Sequence, residues 1–186
     1  MNKPQQPDCL VAAHDVGHEP VGVVHAVRPS ALGGLEALVG EKAARFALQA
    51  GFVARYGQVQ GLPDADGNIT TAVLGVPEAV DGADPFVFGI LPDSLPSGLW
   101  RISAPTDVSA SDMALGFCFG AYRMPAFGRD SAPKPPRARL VVNAAGLAAG
   151  PVAQCINLAR SLINTPPNLM GPDDLARAAQ VACSHP

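Results

Sequence analysis

Short apolar runs of strand length alternate along this chain with stretches of helical periodicity, and that alternation restricts the fold to a sheet covered by helices. Residues 9–13 and 21–27 are two such runs, each bounded by Gly, Pro or charged residues, and both read as buried strands. Arg28, Pro29 and Ser30 break the second run, and a helix is expected over residues 35–50. Leu35, Leu38, Val39, Ala43, Phe46 and Ala50 would form its inner face, Glu41 would pair with Arg45 outside, and Gly51 would cap it. Residues 58–62 and 69–76 flank a polar loop whose Asp66-Gly67 step favours a hairpin turn. Pro77 ends the second hairpin strand. Asp84 and Pro85 suit the cap and first position of a short helix that Pro92 stops. Residues 99–103 and 139–143 read as further strands, and residues 109–122 as a helix presenting Met113, Phe117 and Gly120 or Ala121. The expected class is α/β, a parallel or mixed sheet flanked by helices.

A chain of 186 residues with 48% hydrophobic residues buries a core without disulfide or metal staples. Its 19 glycines and 19 prolines imply many turns and short elements. They crowd residues 124–138, a Pro-rich stretch with interspersed Arg and Lys that reads as a linker or long surface loop. A net charge of −3 with dispersed basic residues argues against nucleic acid as a partner. No stretch approaches the roughly 18 apolar residues of a membrane span. The polar start of the chain lacks a signal-peptide core, so a cytoplasmic location is expected. Cys9, Cys118, Cys155 and Cys183 follow neither a disulfide framework nor zinc-knuckle spacing, and read as reduced packing thiols.

The end of the chain carries the clearest periodicity. Val152, Cys155, Ile156, Ala159, Leu162 and Ile163 recur at helical spacing, with Gln154, Asn157, Arg160 and Ser161 on the other, wet side. Asn164 suits a left-handed cap, and Thr165, Pro166 and Pro167 force an extended exit. Pro172 restarts a helix whose first turn holds Asp173 and Asp174 and whose buried face would be Leu175, Ala178, Ala179 and Ala182.

Few residues suggest chemistry on their own. His14 and His18 flank Asp15, but Gly17 and Pro20 place them in a loop, where the helical alignment of a zinc motif is missing. His25 lies within an apolar strand and reads as a hydrogen-bonded core or edge histidine; His185 has no evident partner. Asp64, Asp66 and Asn68 fit a turn better than a calcium loop, because Gly67 falls at the wrong position. Gly116 with Gly120, and Gly146 with Gly150, have the small-xxx-small spacing of close packing. Phe86, Phe88, Phe117 and Phe119 read as core. Phosphate-loop, dinucleotide-binding, serine-elbow and zincin motifs are all absent from the sequence.

Residues 158–172, LARSLINTPPNLMGP, followed by Leu175 and Ala176, closely resemble the start of the catalytic domain of leucyl aminopeptidases, cytosolic di-metal exopeptidases. Upstream, the order of strand, helix, hairpin and Asp-Pro segment, with the helix end Gly120, Ala121, Tyr122 and Arg123, is similar to the N-terminal domain of shorter bacterial members. Leu169 departs from the polar residue that many members carry. The resemblance implies a macro-domain-like accessory domain over residues 1–145. Residues 146–186 would then be the connecting helix and the start of a truncated metallopeptidase domain.

The family's catalytic Lys and its metal-binding Asp and Glu come from motifs that this sequence does not contain. Its lysines are Lys3, Lys42 and Lys134, and it has no Asp-Ala-Glu-Gly-Arg run. No catalytic, cofactor-binding or metal-binding residue is therefore assigned to this chain. For the full-length family the resemblance implies two divalent metals (Zn or Mn), peptide substrates and a homo-oligomer, with the missing catalytic domain as this chain's partner. Two-metal hydrolysis needs closely converging carboxylates, and the 16 acidic residues here are scattered over expected loops and helix starts. The chain is thus expected to be inactive alone, with a role in assembly or substrate access. The alternatives are a stand-alone module binding a nucleotide or ADP-ribose in a macro-like cleft, with Gly33, Gly34 and Gly40 nearby, and self-pairing through the last two helices.

Overall fold

The computed structural model describes residues 7–78, 84–123 and 137–183. Six strands form one sheet in the order β1-β6-β5-β2-β4-β3, from β1 (Leu10–Ala12), β2 (Val21–Val27), β3 (Val59–Pro63), β4 (Ile69–Gly75), β5 (Gly98–Ser103) and β6 (Ala138–Val142). Every neighbouring pair is parallel except the hairpin β3–β4. Parallel strands need helical cover on both faces, and the alternation of side chains supplies it. In β4, Ala72 and Leu74 point into one apolar cluster with Val24, Phe88, Trp100, Phe117 and Leu140. Val73, between them, points into the opposite cluster with Val27, Leu35, Ala44, Ala47 and Phe52. The expected α/β class and mixed sheet are what the chain adopts.

The helix expected over residues 35–50 is two helices, α1 (Leu35–Val39) and α2 (Glu41–Gln49), separated by Gly40. Gly40 has φ 83° and ψ 158°, a conformation open to glycine and few other residues. The break changes the rotational phase, so the buried face of α2 is Ala44 and Ala47, while Leu38 and Phe46 are 46% and 42% exposed. The Gly51 cap forms as expected: Gly51 N–H donates to Leu48 and Phe52 N–H to Ala47, both across the helix end. In the hairpin loop the Asp64 carboxylate accepts N–H bonds from Asp66 and Asn68, both at 2.9 Å, which is turn chemistry.

Asp84 caps a 3-10 helix, Pro85–Ile90, by accepting from Phe86 N–H, and that helix runs directly into α3 (Leu91–Ser94). Pro92 therefore opens α3 in its first turn, where no N–H is needed, instead of stopping the helix. Ser109 caps α4 (Ala110–Ala121) by accepting from Asp112 N–H. A Cβ on Gly116 would lie 1.7 Å from the Pro85 carbonyl oxygen, and one on Gly120 1.7 Å from that of Gly89. The glycine pair is thus a groove into which the 3-10 helix backbone presses. Phe88 and Phe117 are core, but Phe86 is 67% exposed and stacks on Phe119 at a centroid distance of 5.7 Å.

After β6, Asn143 caps α5 (Ala144–Leu147), and α6 (Gly150–Asn164) and α7 (Pro172–Cys183) complete the described chain. The orientation of α6 reverses the sequence expectation. Only Gly150 and Ala153 of α6 are buried, while Val152, Ile156 and Ile163 are 51%, 37% and 82% exposed and Cys155 is exposed too. Gln154, Asn157, Arg160 and Ser161, expected on the wet side, face the domain and are partly buried. On α7 the anticipated buried face is also open, with Leu175 50% exposed and Ala179 and Ala182 exposed. Thr165 rather than Asn164 closes α6, in extended conformation before Pro166, its hydroxyl donating to the Ser161 carbonyl at 2.7 Å. The Pro-rich stretch at residues 124–136 and His185 lie outside the described residues.

Candidate functional site

A cavity of about 600 Å³ opens where the starts of β1 and β6 meet the end of α4 and the middle of α6. Its walls include Cys9, Cys118, Tyr122, Arg123, Arg137, Arg139, Asn157 and Ser161. Sheet pairing brings Cys9 here: its carbonyl accepts from Leu140 N–H at 2.7 Å as β1 joins β6. Cys118 is fully buried on the sheet-facing side of α4, and its Sγ lies 3.4 Å from that of Cys9. Sequence reading placed both as packing thiols. It missed their juxtaposition because 109 positions separate them.

The hydrogen bond between the two thiols lowers the Cys9 pKa against the opposing effect of burial, with Asp8 also raising it and Arg139 lowering it. The same bond and burial push the Cys118 thiol upward.

Arginines position the remaining wall. Arg160 donates to the Phe119 carbonyl at 2.9 Å, closing an orphan acceptor at the end of α4, and its guanidinium sits 4.0 Å from the Tyr122 ring centre. Tyr122 and Ser161 hydroxyls meet at 3.1 Å, so two residues of the 158–172 motif dock α6 onto α4. Asp93 of α3 bridges Arg123 and Arg137. Arg137 Nη1 and Asn157 Oδ1 are buried there without a protein hydrogen-bond partner.

A second cavity, about 340 Å³, lies at the carboxyl ends of β5 and β6 beside the start of α4, the usual ligand crevice of a parallel sheet. Its walls are mainly apolar, with Arg101 and Asn143, and the Asn143 side chain is already held by Gly146 N–H at 3.0 Å. Gly33, Gly34 and Gly40 sit in the 3-10 helix after β2 and at the α1–α2 junction, away from this lining.

The other candidates are dispersed. His14 lies in a 3-10 helix 3.6 Å from Asp15, exposed, while His18 follows in a bend; Asp15 and Glu19 line a small cavity with Arg139 that neither histidine reaches. His25 sits in β2 at the sheet centre, opposite Val73 and Ser103, instead of at an edge. Its Nδ1 is buried without a hydrogen-bond partner, and burial lowers its pKa. Among the described residues no three His, Cys, Asp or Glu side chains come together to hold a metal ion. That donor set does not fit a two-metal hydrolytic centre.

A family model for the N-terminal domain of M17 aminopeptidases matches residues 27–148. The chain belongs to this family. Solved structures extend the likeness through α6 and α7. The cytosol aminopeptidase of Coxiella burnetii is 24% identical with a TM-score of 0.78, covering 95% of this chain and 38% of that one. A tomato leucine aminopeptidase variant is 17% identical with a TM-score of 0.69, covering 98% and 44%. The bottromycin maturation enzyme BotP, solved in complex with Mn, is 23% identical with a TM-score of 0.63, covering 89% and 36%. This M17 N-terminal domain chain thus spans well under half the length of these structures, and at such identities their likeness establishes the fold. Among curated proteins the comparison finds no match. No helix among the described residues is long and apolar enough to cross a membrane.

Proposed function

We propose that this chain is the N-terminal part of a leucyl aminopeptidase whose complete form removes N-terminal amino acids from peptides with two divalent metals, Zn or Mn. The chain itself contributes assembly or substrate access and does not catalyse. The observation that carries this reading is the inverted α6: its polar side docks on the domain through Arg160 and Ser161, and its apolar side faces away. An apolar face turned outward needs a cover, and the rest of the aminopeptidase supplies one. Residues 1–145 form the accessory domain and residues 146–186 lead into the catalytic one. Beyond Ala153, no described residue of α6 or α7 is fully buried, which suits elements awaiting that domain. The working location is the cytoplasm, and the complete enzyme is a homo-oligomer. The purified chain, assayed on leucyl-anilide with added Mn²⁺ or Zn²⁺, is expected to give no turnover above a no-protein blank. Metal-dependent turnover that copurifies with the chain would refute the reading.

The cavity at the strand carboxyl ends favours a second reading, a nucleotide or ADP-ribose module. Calorimetric titration with ADP-ribose distinguishes it: saturable heat supports that module, and a flat trace at millimolar ligand removes it.

A further inference from the structure

We propose that Cys9 and Cys118 form a redox-active dithiol, a modification site at which a hydroperoxide reaching the 600 Å³ cavity drives formation of an intramolecular disulfide. The placement carries the proposal. The two sulfurs lie 3.4 Å apart on different elements, and both cysteines line the cavity. Closing to the S–S bond length of about 2.05 Å takes a movement of little more than an ångström. Cys9 immediately precedes β1 and is only partly buried, whereas Cys118 is fully buried. That asymmetry gives an attacking thiol with access and a resolving thiol in reserve.

The steps balance with the peroxide as oxidant. The Cys9 thiolate attacks a peroxide oxygen; the S–O bond forms, the O–O bond breaks, and the leaving alkoxide or hydroxide takes a proton. Cys9 is thereby oxidised by two electrons to a sulfenic acid and the peroxide is reduced. The Cys118 sulfur then attacks the Cys9 sulfur, giving up its thiol proton. The S–S bond forms, the S–O bond breaks, and hydroxide leaves with that proton as water. Two thiols and ROOH become one disulfide, ROH and water. A dithiol of this kind suits a reducing compartment, where disulfides are transient and restored by exchange. The bond would tie the first strand to the helix on which α6 docks.

Thiol counting on the whole 186-residue chain tests this. The reduced chain, treated with a few equivalents of hydrogen peroxide and then denatured, is expected to fall from four titratable thiols to two. A non-reduced digest should show the Cys9 and Cys118 peptides joined, with loss of two hydrogens. The loop closed is long, so the oxidised chain should unfold about 10 °C higher than the reduced one. In Cys118→Ser, or in Cys118→Ala if the serine variant fails to fold, a dimedone adduct should accumulate on Cys9. The double variant Cys155→Ser with Cys183→Ser should still lose two thiols. Four thiols surviving in the wild-type chain would overturn the proposal, as would linkage mapping to Cys155 or Cys183.

Discussion

At Gly116 and Gly120 the backbone of the 3-10 helix presses against α4 so closely that an added methyl group would overlap a carbonyl oxygen. A buried backbone cannot swing aside as a side-chain tip can, so Gly116→Ala should cost about 3 kcal/mol by overpacking. A lowered urea midpoint with an unchanged slope would register that loss; an unchanged midpoint would mean that the contact is looser than 1.7 Å implies. The spacing of the two glycines was readable from sequence, but their partner was not. His25 gives a pH prediction at the same scale. Burial lowers its folded pKa below the 6.5 of a free histidine, so on acidification the unfolded chain takes up that proton first. Stability should therefore decline as pH falls through 6.5 toward the lower folded value, and this contribution should be flat above that window. Thermal midpoints of His25→Gln between pH 7.5 and 5.5 should fall less than those of the wild type. Parallel declines would show that other groups set the acid response.

Among the elements, α6 teaches most about what a pattern can and cannot say. Its periodicity was legible, with Val152, Ile156 and Ile163 on one face and Arg160 and Ser161 on the other. Which face meets this domain was not legible, because periodicity reveals two sides without naming the neighbour of either. Here a cation over Tyr122 and a bond to the Phe119 carbonyl outweigh the apolar stripe locally, and the stripe is left for another surface. Two substitutions separate these roles. Ile163→Glu, at an 82% exposed position, should change stability by less than about 0.5 kcal/mol and reduce binding of a hydrophobic dye. Ala153→Glu, at a fully buried one, should unfold the chain or cost several kcal/mol of stability. Equal effects from both would remove the distinction between the two faces. The split of α1 from α2 was missed for a related reason. One glycine with positive φ changes the helical phase, and a window average smooths over it.

For the molecule as a whole, alternation of strand and helix made the α/β class legible, and the Asp66-Gly67 step located the antiparallel pair among the described strands. Strand order was not legible, since nothing local tells β6 to insert between β1 and β5. Neither was the thiol-lined cavity, which exists only because that insertion brings Cys9 to α4. The family motif was legible as a string of residues, and its Arg160 and Ser161 act here as docking groups. What distinguishes an accessory domain from a peptidase is the supply of converging oxygen ligands, which Mn²⁺ prefers to thiols and which two-metal hydrolysis requires. Counting bound Mn²⁺ per chain, by electron paramagnetic resonance of the free ion during titration, addresses that supply directly. The expected result is no saturable site tighter than millimolar; two ions held per chain at micromolar Mn²⁺, released when aspartates are replaced, would contradict it.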